Sequence, residues 1–346
     1  MIRFVLPAWR SELPAPPDVS RILVIRQHNQ LGDMLCAVPL LRALRSKYSS
    51  ARIALMASAV NFDVMGENRY VDSLMLFDKD SGITSLLTFL RTLRKEQYDI
   101  VLVPMTVSMS FTSCLLAFLS GGKIRIGAEE IDGRKNTAAA FLNVRLKLDW
   151  REEPQRHQTL RNLDTAQVLA LPQSGLNSEI FLTKEENDSA GAFLEGDLKE
   201  RDFFLAFHPG AGKVPNRWPA RRFAVVANEL AARFNARILV TSGPMDDEPV
   251  AAMLSDLHDP PVLVKGHPIR KVAAILSHMK IVISNDTGIM HVASAVNVPV
   301  LSLFGPTDPL QWAPIGTKHR FLHFGDDIEL ITVADVLKNA DEMLQS

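Results

Sequence analysis

Asp286, Thr287 and Gly288 stand where an apolar run, residues 281–283, gives way to the small and apolar residues 289–296. A buried strand, a polar turn relaxed by Gly288 and a helix in that order present unpaired N–H groups and the positive end of the helix dipole to whatever lies above the turn. A phosphate or pyrophosphate is the natural occupant. The same residues also describe a plain strand-to-helix connection capped by Asn285, Asp286 or Thr287, and the turn alone does not separate the two readings. His291 lies five residues after Asp286, about one helical turn along, within reach of the same phosphate or a sugar hydroxyl. A single helical histidine is usually structural.

Four further polar turns follow apolar runs. HPGAGKVPNRWP, residues 208–219, exposes backbone N–H groups at Gly210, Ala211 and Gly212 and adds Lys213, Asn216 and Arg217, a combination suited to pyrophosphate. A solvated basic loop is the alternative, and His208 fits a satisfied strand-end histidine as well as a ligand contact. TSGP, with Thr241, Ser242 and Gly243, and KGHP, residues 265–268, could hold a nucleoside base and ribose. The first turn, QHNQLGD, contains only one glycine, Gly32, and so lacks the GxGxxG fingerprint of a dinucleotide enzyme. Asp33 there stands at the mouth of a helix, where the dipole favours a carboxylate able to act as general base toward a hydroxyl. Capping of its own helix is the alternative. No His/Cys cluster has metal-ligand spacing and no GxSxG elbow occurs, so metal hydrolysis and serine chemistry lack support.

The elements that must carry these turns alternate along the chain. RILVIR (21–26), RIALM (52–56), SLMLF (73–77), DIVLVP (99–104) and KIRIG (123–127) read as strands in the first half. FFLAFHPG (203–210), ARILVTSGP (236–244), PVLVKG (261–266), KIVISND (280–286) and PVLSLFG (299–305) do so in the second. Helical patterns fall between them, notably 33–47, 85–96, 108–119, 222–234, 250–257, 269–278 and 289–296. Alternation of this kind predicts an α/β fold of two similar doubly wound domains, joined through the polar segment 183–201. The expected division is an N-terminal extension 1–20, a first domain 21–185, a second domain 186–330 and a C-terminal helix 331–346 that can pack back on the first.

At 346 residues and 47% hydrophobic content the chain exceeds one core's usual size, in keeping with two domains. Its 38 basic and 39 acidic residues leave a net charge of -1, so nothing global points to nucleic acid, and any anion site is local. Cys36 and Cys114 lie in apolar segments and read as reduced core residues of a cytoplasmic protein. The N-terminus is broken by Pro7, Pro14, Pro16 and Pro17, unlike a signal peptide, and the apolar segment 115–119 falls far short of the ~20 residues of a spanning helix.

Together the motifs RxxxxGDMLCAVPLLRALR (26–45), HPGAGKVPNRWP (208–219) and SNDTGIMHVASAVNVPVLSLFGPTDP (284–309) resemble glycosyltransferase family 9, the ADP-heptose:lipopolysaccharide heptosyltransferases and their relatives. HQTLRNLDTAQVLALP, residues 157–172, is similar to the helix preceding that family's linker, and the likeness runs from about Arg21 to Leu344. The resemblance implies a GT-B architecture, two Rossmann-like domains facing a central cleft, and transfer with inversion, no metal and no cofactor. It implies a nucleotide-sugar donor such as ADP-heptose, a lipopolysaccharide or other glycan acceptor, and peripheral contact with the inner membrane. Asp33 matches the family's proposed base, and Asp286, Thr287, Gly288 and His291 match its donor turn. Arg125, Arg134 and Lys135 are candidates to meet acceptor phosphates or carboxylates, solvated loop charge being the alternative. One position departs: Asn216 stands where the family usually carries lysine before Trp-Pro, which removes a charge from the leaving-group site. A nucleotide-sugar epimerase of the same architecture and a member that binds nucleotide or glycan without turnover are the rival readings.

Overall fold

Near-continuous apolar runs are demanded where a strand is buried on both faces, and Ile22–Ile25 and Ile281–Ile283 meet that demand in the middle of two separate, largely parallel sheets. A computed structural model describes residues 18–27, 29–78, 82–198 and 200–345, the side chain of Ile83 excepted. Most of the expected N-terminal extension, residues 1–17, lies outside the described residues. The chain divides into two compact units between Leu176 and Asn177.

In the first unit the strands are β1 (Arg21–Arg26), β2 (Arg52–Ala57), β3 (Ser73–Leu76), β4 (Ile100–Val103), β5 (Ile124–Ile131), β6 (Arg134–Lys135) and β7 (Val144–Leu148). Their order is β3-β2-β1-β4-β5-β6, with β7 also on β5, and only the β5–β6 pairing is antiparallel. The second unit holds β8 (Phe203–His208), β9 (Ala236–Ser242), β10 (Val262–Lys265), β11 (Met279–Asn285), β12 (Val300–Phe304) and β13 (His319–His323). All its pairings are parallel, in the order β10-β9-β8-β11-β12-β13. Each unit is thus an α/β sheet that winds outward from its first strand and then restarts on the other side of it. The turns after β1 and β4, and after β8 and β11, flank the point where winding reverses, which is where such sheets open a crevice for ligands.

Three strands escaped the sequence reading. β6, β7 and β13 carry charged, alternating or half-exposed residues, so none shows the solid apolar run of a central strand. The polar joint expected at 183–201 is mostly a helix, Lys184–Leu198. Thr183 and Glu186 form a capping box there, with Glu186 N donating to Thr183 Oγ1 at 3.1 Å and Thr183 N to Glu186 Oε2 at 2.8 Å. The helix buries only Ala190 and Leu194, which is why its pattern reads as linker. The C-terminal helix, Val333–Leu344, does not need the first domain to cover its apolar stripe: Val336, Ala340 and Leu344 join the second unit's core beside Phe223 and Leu230. Within the described residues no helix is long and apolar enough to cross a membrane.

Asp99, just before β4, ties three strand starts together. Its Oδ2 accepts from Ser20 N at 2.9 Å and Arg21 N at 3.0 Å at the head of β1, and Oδ1 accepts from Lys123 Nζ at 2.7 Å before β5. Burial pushes this carboxyl up, but the Lys123 ammonium and the donors of Ser20 and Arg21 outweigh it and hold the pKa at about 2. A depressed carboxylate contributes stability that is complete above the unfolded value of about 3.9 and is lost as pH falls through about 2. Asp99→Asn should therefore cost about 2 kcal/mol near pH 7 in chemical denaturation, and the gap from the parent protein should narrow below about pH 4. A gap independent of pH would remove this role.

Candidate functional site

The second unit's crevice begins with the turn after β11. Thr287 occupies the N-cap position of the helix Gly288–Ala295, yet its side chain makes no cap bond and lies 3.3 Å from Ser284 Oγ. Asn285 is fully buried and faces the other way: its Nδ2 donates to Pro209 O at 2.9 Å and Gly210 O at 3.1 Å, and its Oδ1 accepts from Trp218 N at 3.1 Å. Asp286 accepts from Asn216 Nδ2 at 3.2 Å. All three capping-competent side chains are thus engaged elsewhere, and the N-cap residue makes no side-chain bond to the helix's first N–H groups among the described residues. Gly288 does not lie in the left-handed region, so the turn does not depend on the backbone freedom expected of it. His291 is buried, with its ring edge-on to Trp312 at 6.4 Å, in keeping with a packing role.

Around this turn the loop 209–219 is held by backbone recognition. Asn285 grips both of its ends, and Trp218 anchors it in the core, with Nε1 donating to Ile331 O at 2.8 Å and the ring T-shaped on Phe223 at 5.0 Å. Asn216 bridges Asp286 and Thr307, donating to Thr307 Oγ1 at 2.9 Å. Burial pushes the Asp286 carboxyl up, while the Thr307 hydroxyl and the Lys213 charge pull it down. The two cations of the loop differ. Arg217 turns its guanidinium onto the loop itself, donating to Ala211 O at 2.8 Å and lying 3.8 Å from Glu248. Lys213 is exposed and makes no ion pair among the described residues. It begins the 3-10 turn Val214–Asn216, where Asn216 N donates to Lys213 O at 3.0 Å. The Lys213 charge is felt at Asp286, whose carboxyl it pulls down.

Gly210, Gly212 and Gly243 have different surroundings. Gly212 is open, with only Met245 at 3.9 Å from a built Cβ, whereas Gly210 and Gly243 both lie hard against the Asp246 carboxylate. At the end of β12 a Cβ on Gly305 would meet Pro215 O at 2.8 Å, so this glycine admits the loop's backbone. His208 is a satisfied strand-end histidine: Nδ1 lies 2.9 Å from Thr241 Oγ1 and 3.2 Å from Thr241 O, and burial pushes its pKa down against the pull of Asp246. Thr241 is buried by the same contact, while Ser242 is half-exposed with its hydroxyl 3.4 Å from Gly243 O. In the KGHP turn, Lys265 pairs with Asp247 at 2.8 Å and His267 packs edge-on against Phe193 at 5.7 Å.

In the first unit Asp33 is the third residue of a short helix, Leu31–Leu35, whose N-cap position is held by Gln30, so it is not its helix's cap. Arg26, at the end of β1, sets its place. The buried guanidinium donates to Pro104 O at 2.7 Å and Asp33 O at 3.1 Å, and stands 3.5 Å from Asp33 Oδ1. That oxygen is buried and accepts no hydrogen bond among the described residues. Arg125 is turned inward, away from the acceptor role expected of it. It is buried, donates to Phe141 O at 2.9 Å and to Gly122 O, and lies over the Phe118 ring. Arg134 and Lys135 are exposed on β6 and line a cavity of about 290 Å³ with Val107, Phe111, Ile131 and Thr137. Sequence reasoning missed Asn285, Asp246, Thr307 and Arg26 as organisers of these turns. Of these only Asn285 and Arg26 carried a signal, being polar residues that end strands.

Residues 86–328 match the family described as Glycosyltransferase family 9 (heptosyltransferase). A lipopolysaccharide heptosyltransferase 3 of Escherichia coli is 22% identical over 91% of this chain and 97% of its own. A glycosyl transferase family 9 structure from Veillonella parvula shares the fold with a TM-score of 0.84 at 23% identity, covering 96% of this chain and 99% of its own. The Escherichia coli ADP-heptose LPS heptosyltransferase II structure gives 0.79 at 23% identity, covering 94% and 98%.

Asn285→Ala would leave the Pro209 and Gly210 carbonyls and the Trp218 N–H unpaired in a dry interior. The expected cost is about 3 kcal/mol of unfolding free energy by chemical denaturation, and a loss under about 1 kcal/mol would show that the loop does not depend on this amide.

Proposed function

This chain belongs to glycosyltransferase family 9, the heptosyltransferases, and on that premise we propose that it moves a heptose from ADP-heptose to a lipopolysaccharide core-type acceptor, inverting the anomeric carbon without a metal. The observation that carries the donor side is the uncapped N-terminus of the helix Gly288–Ala295, whose candidate caps are all committed to other partners. Open N–H groups at a helix start, next to the glycine loop Gly210–Gly212, suit a diphosphate. ADP-heptose as donor rests on the name of the Escherichia coli heptosyltransferase II that shares this fold.

In this reading the acceptor hydroxyl attacks the anomeric carbon from the face opposite the diphosphate. A carbon–oxygen bond forms to the acceptor as the bond to the diphosphate oxygen breaks, and Asp33 takes the hydroxyl proton. The buried Asp33 Oδ1, with no hydrogen-bond donor on it among the described residues, has the acceptor capacity this step needs. The departing negative charge falls to the helix amides and to Lys213, the loop cation that has no ion pair among the described residues. Lys213 then supplies from position 213 the charge that Asn216 does not. Arg134 and Lys135 beside the 290 Å³ cavity are the groups suited to acceptor phosphates or carboxylates. Phe111, 56% exposed on the same rim, fits a cytoplasmic protein working against a membrane-anchored acceptor.

Asp33→Asn should lower transfer by about 10²–10⁴-fold in a donor-consumption assay while ADP affinity stays unchanged. Near-parental turnover would take the base assignment away, and retained nucleotide affinity with no turnover of any nucleotide sugar by the parent protein would mark a binding protein. Lys213→Met should weaken ADP binding about 10-fold or more, and adding Asn216→Lys should restore most of it by returning a cation one 3-10 turn away. Calorimetric dissociation constants that do not move in either variant would exclude Lys213 from the leaving-group site.

A further inference from the structure

Asp246 holds the N-cap position of the helix Asp247–Leu254, and aspartate is among the best residues for capping a helix with its side chain. It makes no such bond. Its carboxylate turns away from its own helix, accepts from Gly243 N at 2.7 Å and lies 3.6 Å from His208 Nε2. The group is 6% exposed, a costly place for a carboxylate. Two glycines on two different turns make room for it. A Cβ on Gly210 would collide with Asp246 Cγ and Oδ1, and one on Gly243 would lie 2.8 Å from Oδ2. His208 completes the cluster, its ring held between this carboxylate and Thr241, with Thr241 Oγ1 at 2.9 Å from Nδ1.

We propose that Asp246 is a positioning residue for the nucleoside diphosphate, acting through Gly210 and His208 to lock the turn after β8 against the turn after β9. The proposal rests on the donor reading of the Gly210–Gly212 loop. A loop of small residues binds a diphosphate tightly only if its N–H groups are fixed in advance, because ordering them on binding costs affinity. Asn285 fixes the carbonyls of Pro209 and Gly210 from the β11 side. Asp246 fixes the same backbone from the β9 side, by close packing against the Gly210 α-carbon and by holding the His208 ring that precedes it. The glycine is therefore required by its neighbour's carboxylate and not by its own dihedral angles, since its φ is not positive.

The test measures ADP binding by calorimetry in the parent protein, Asp246→Ala, Asp246→Asn, Gly210→Ala and the Gly210→Ala/Asp246→Ala double variant, with melting temperature as a check on folding. Asp246→Ala and Gly210→Ala should each weaken ADP about 10-fold or more, and Asp246→Asn, which keeps the shape, should fall between Asp246→Ala and the parent. Removing the carboxylate removes the clash at position 210, so the double variant should bind no more weakly than the Asp246→Ala single, a strongly non-additive result. In turnover the donor KM should rise while kcat at saturation stays within about threefold. Additive losses, or an unchanged KM with a reduced kcat, would overturn the positioning role, as would unaltered ADP binding in Asp246→Ala. Should that variant not fold, Asp246→Asn with and without Gly210→Ala takes its place. The amide keeps the obstruction at position 210, so Gly210→Ala should weaken ADP about 10-fold on either background, and an alanine there without effect on both would overturn the role. A parent protein that binds neither ADP nor any other nucleoside diphosphate would sink the donor reading itself, an outcome distinct from binding that ignores position 246.

Discussion

A primary amide with no exposure, Asn285, uses both of its ends at the point where the second sheet reverses its winding. Two carbonyls of one loop and the N–H of Trp218 reach it, so β11 dictates where the chain leaving β8 runs. Buried backbone groups cannot go unpaired without a penalty of about 1–3 kcal/mol each, and this amide satisfies three of them. Once the loop is fixed, Asn216 falls against Asp286 and Thr307, Arg217 folds onto Ala211, and Trp218 enters the core. The helix start at Gly288 is then left without a side-chain cap, because Asn285 and Asp286 are occupied by the loop and Thr287 lies against Ser284.

Charge is kept out of the interior or tied to backbone. Arg217 and Arg125 donate to carbonyls, Asp286 is hydrogen-bonded with Asn216 and Thr307, and His208 is pushed toward its uncharged form by burial. What faces outward at the second unit's turn is a set of amides and Lys213. Such a surface attracts a polyanion without placing a full opposing charge in the dry interior, where desolvation would cancel most of the gain. The first unit shows a related arrangement, in which a buried arginine organises backbone around Asp33 and leaves one carboxylate oxygen without a hydrogen bond among the described residues.

Much of the fold was legible because central strands advertise themselves. RILVIR, FFLAFH and KIVISN are nearly solid apolar runs, and the two-sheet α/β class follows from their alternation with helices. VRLKL and HRFLH mix charge into the pattern, and the helix 184–198 buries too little to show a face. At the site, the turns were legible and the partners within them were not. Arg125 and Lys213 look alike in a sequence, yet one is buried under the Phe141 and Gly122 carbonyls and the other is exposed. Asp246 was invisible for a stronger reason: it packs against a glycine 36 positions earlier and a histidine on β8, contacts that no local pattern encodes.

Gly210, Gly243 and Gly305 each abut a carboxylate or a carbonyl so closely that even a methyl group has no room. Gly212 meets no such wall, and Lys213 beside it is exposed. The crevice is therefore rigid toward volume and permissive toward charge, and those two properties belong to different positions. Anyone retuning this protein for another donor has a short list of sites, 213 foremost, where a residue can be exchanged without rebuilding the backbone beneath it. Divergence by drift would be channelled the same way, through the electrostatics of the rim, while the glycine floor stays constant.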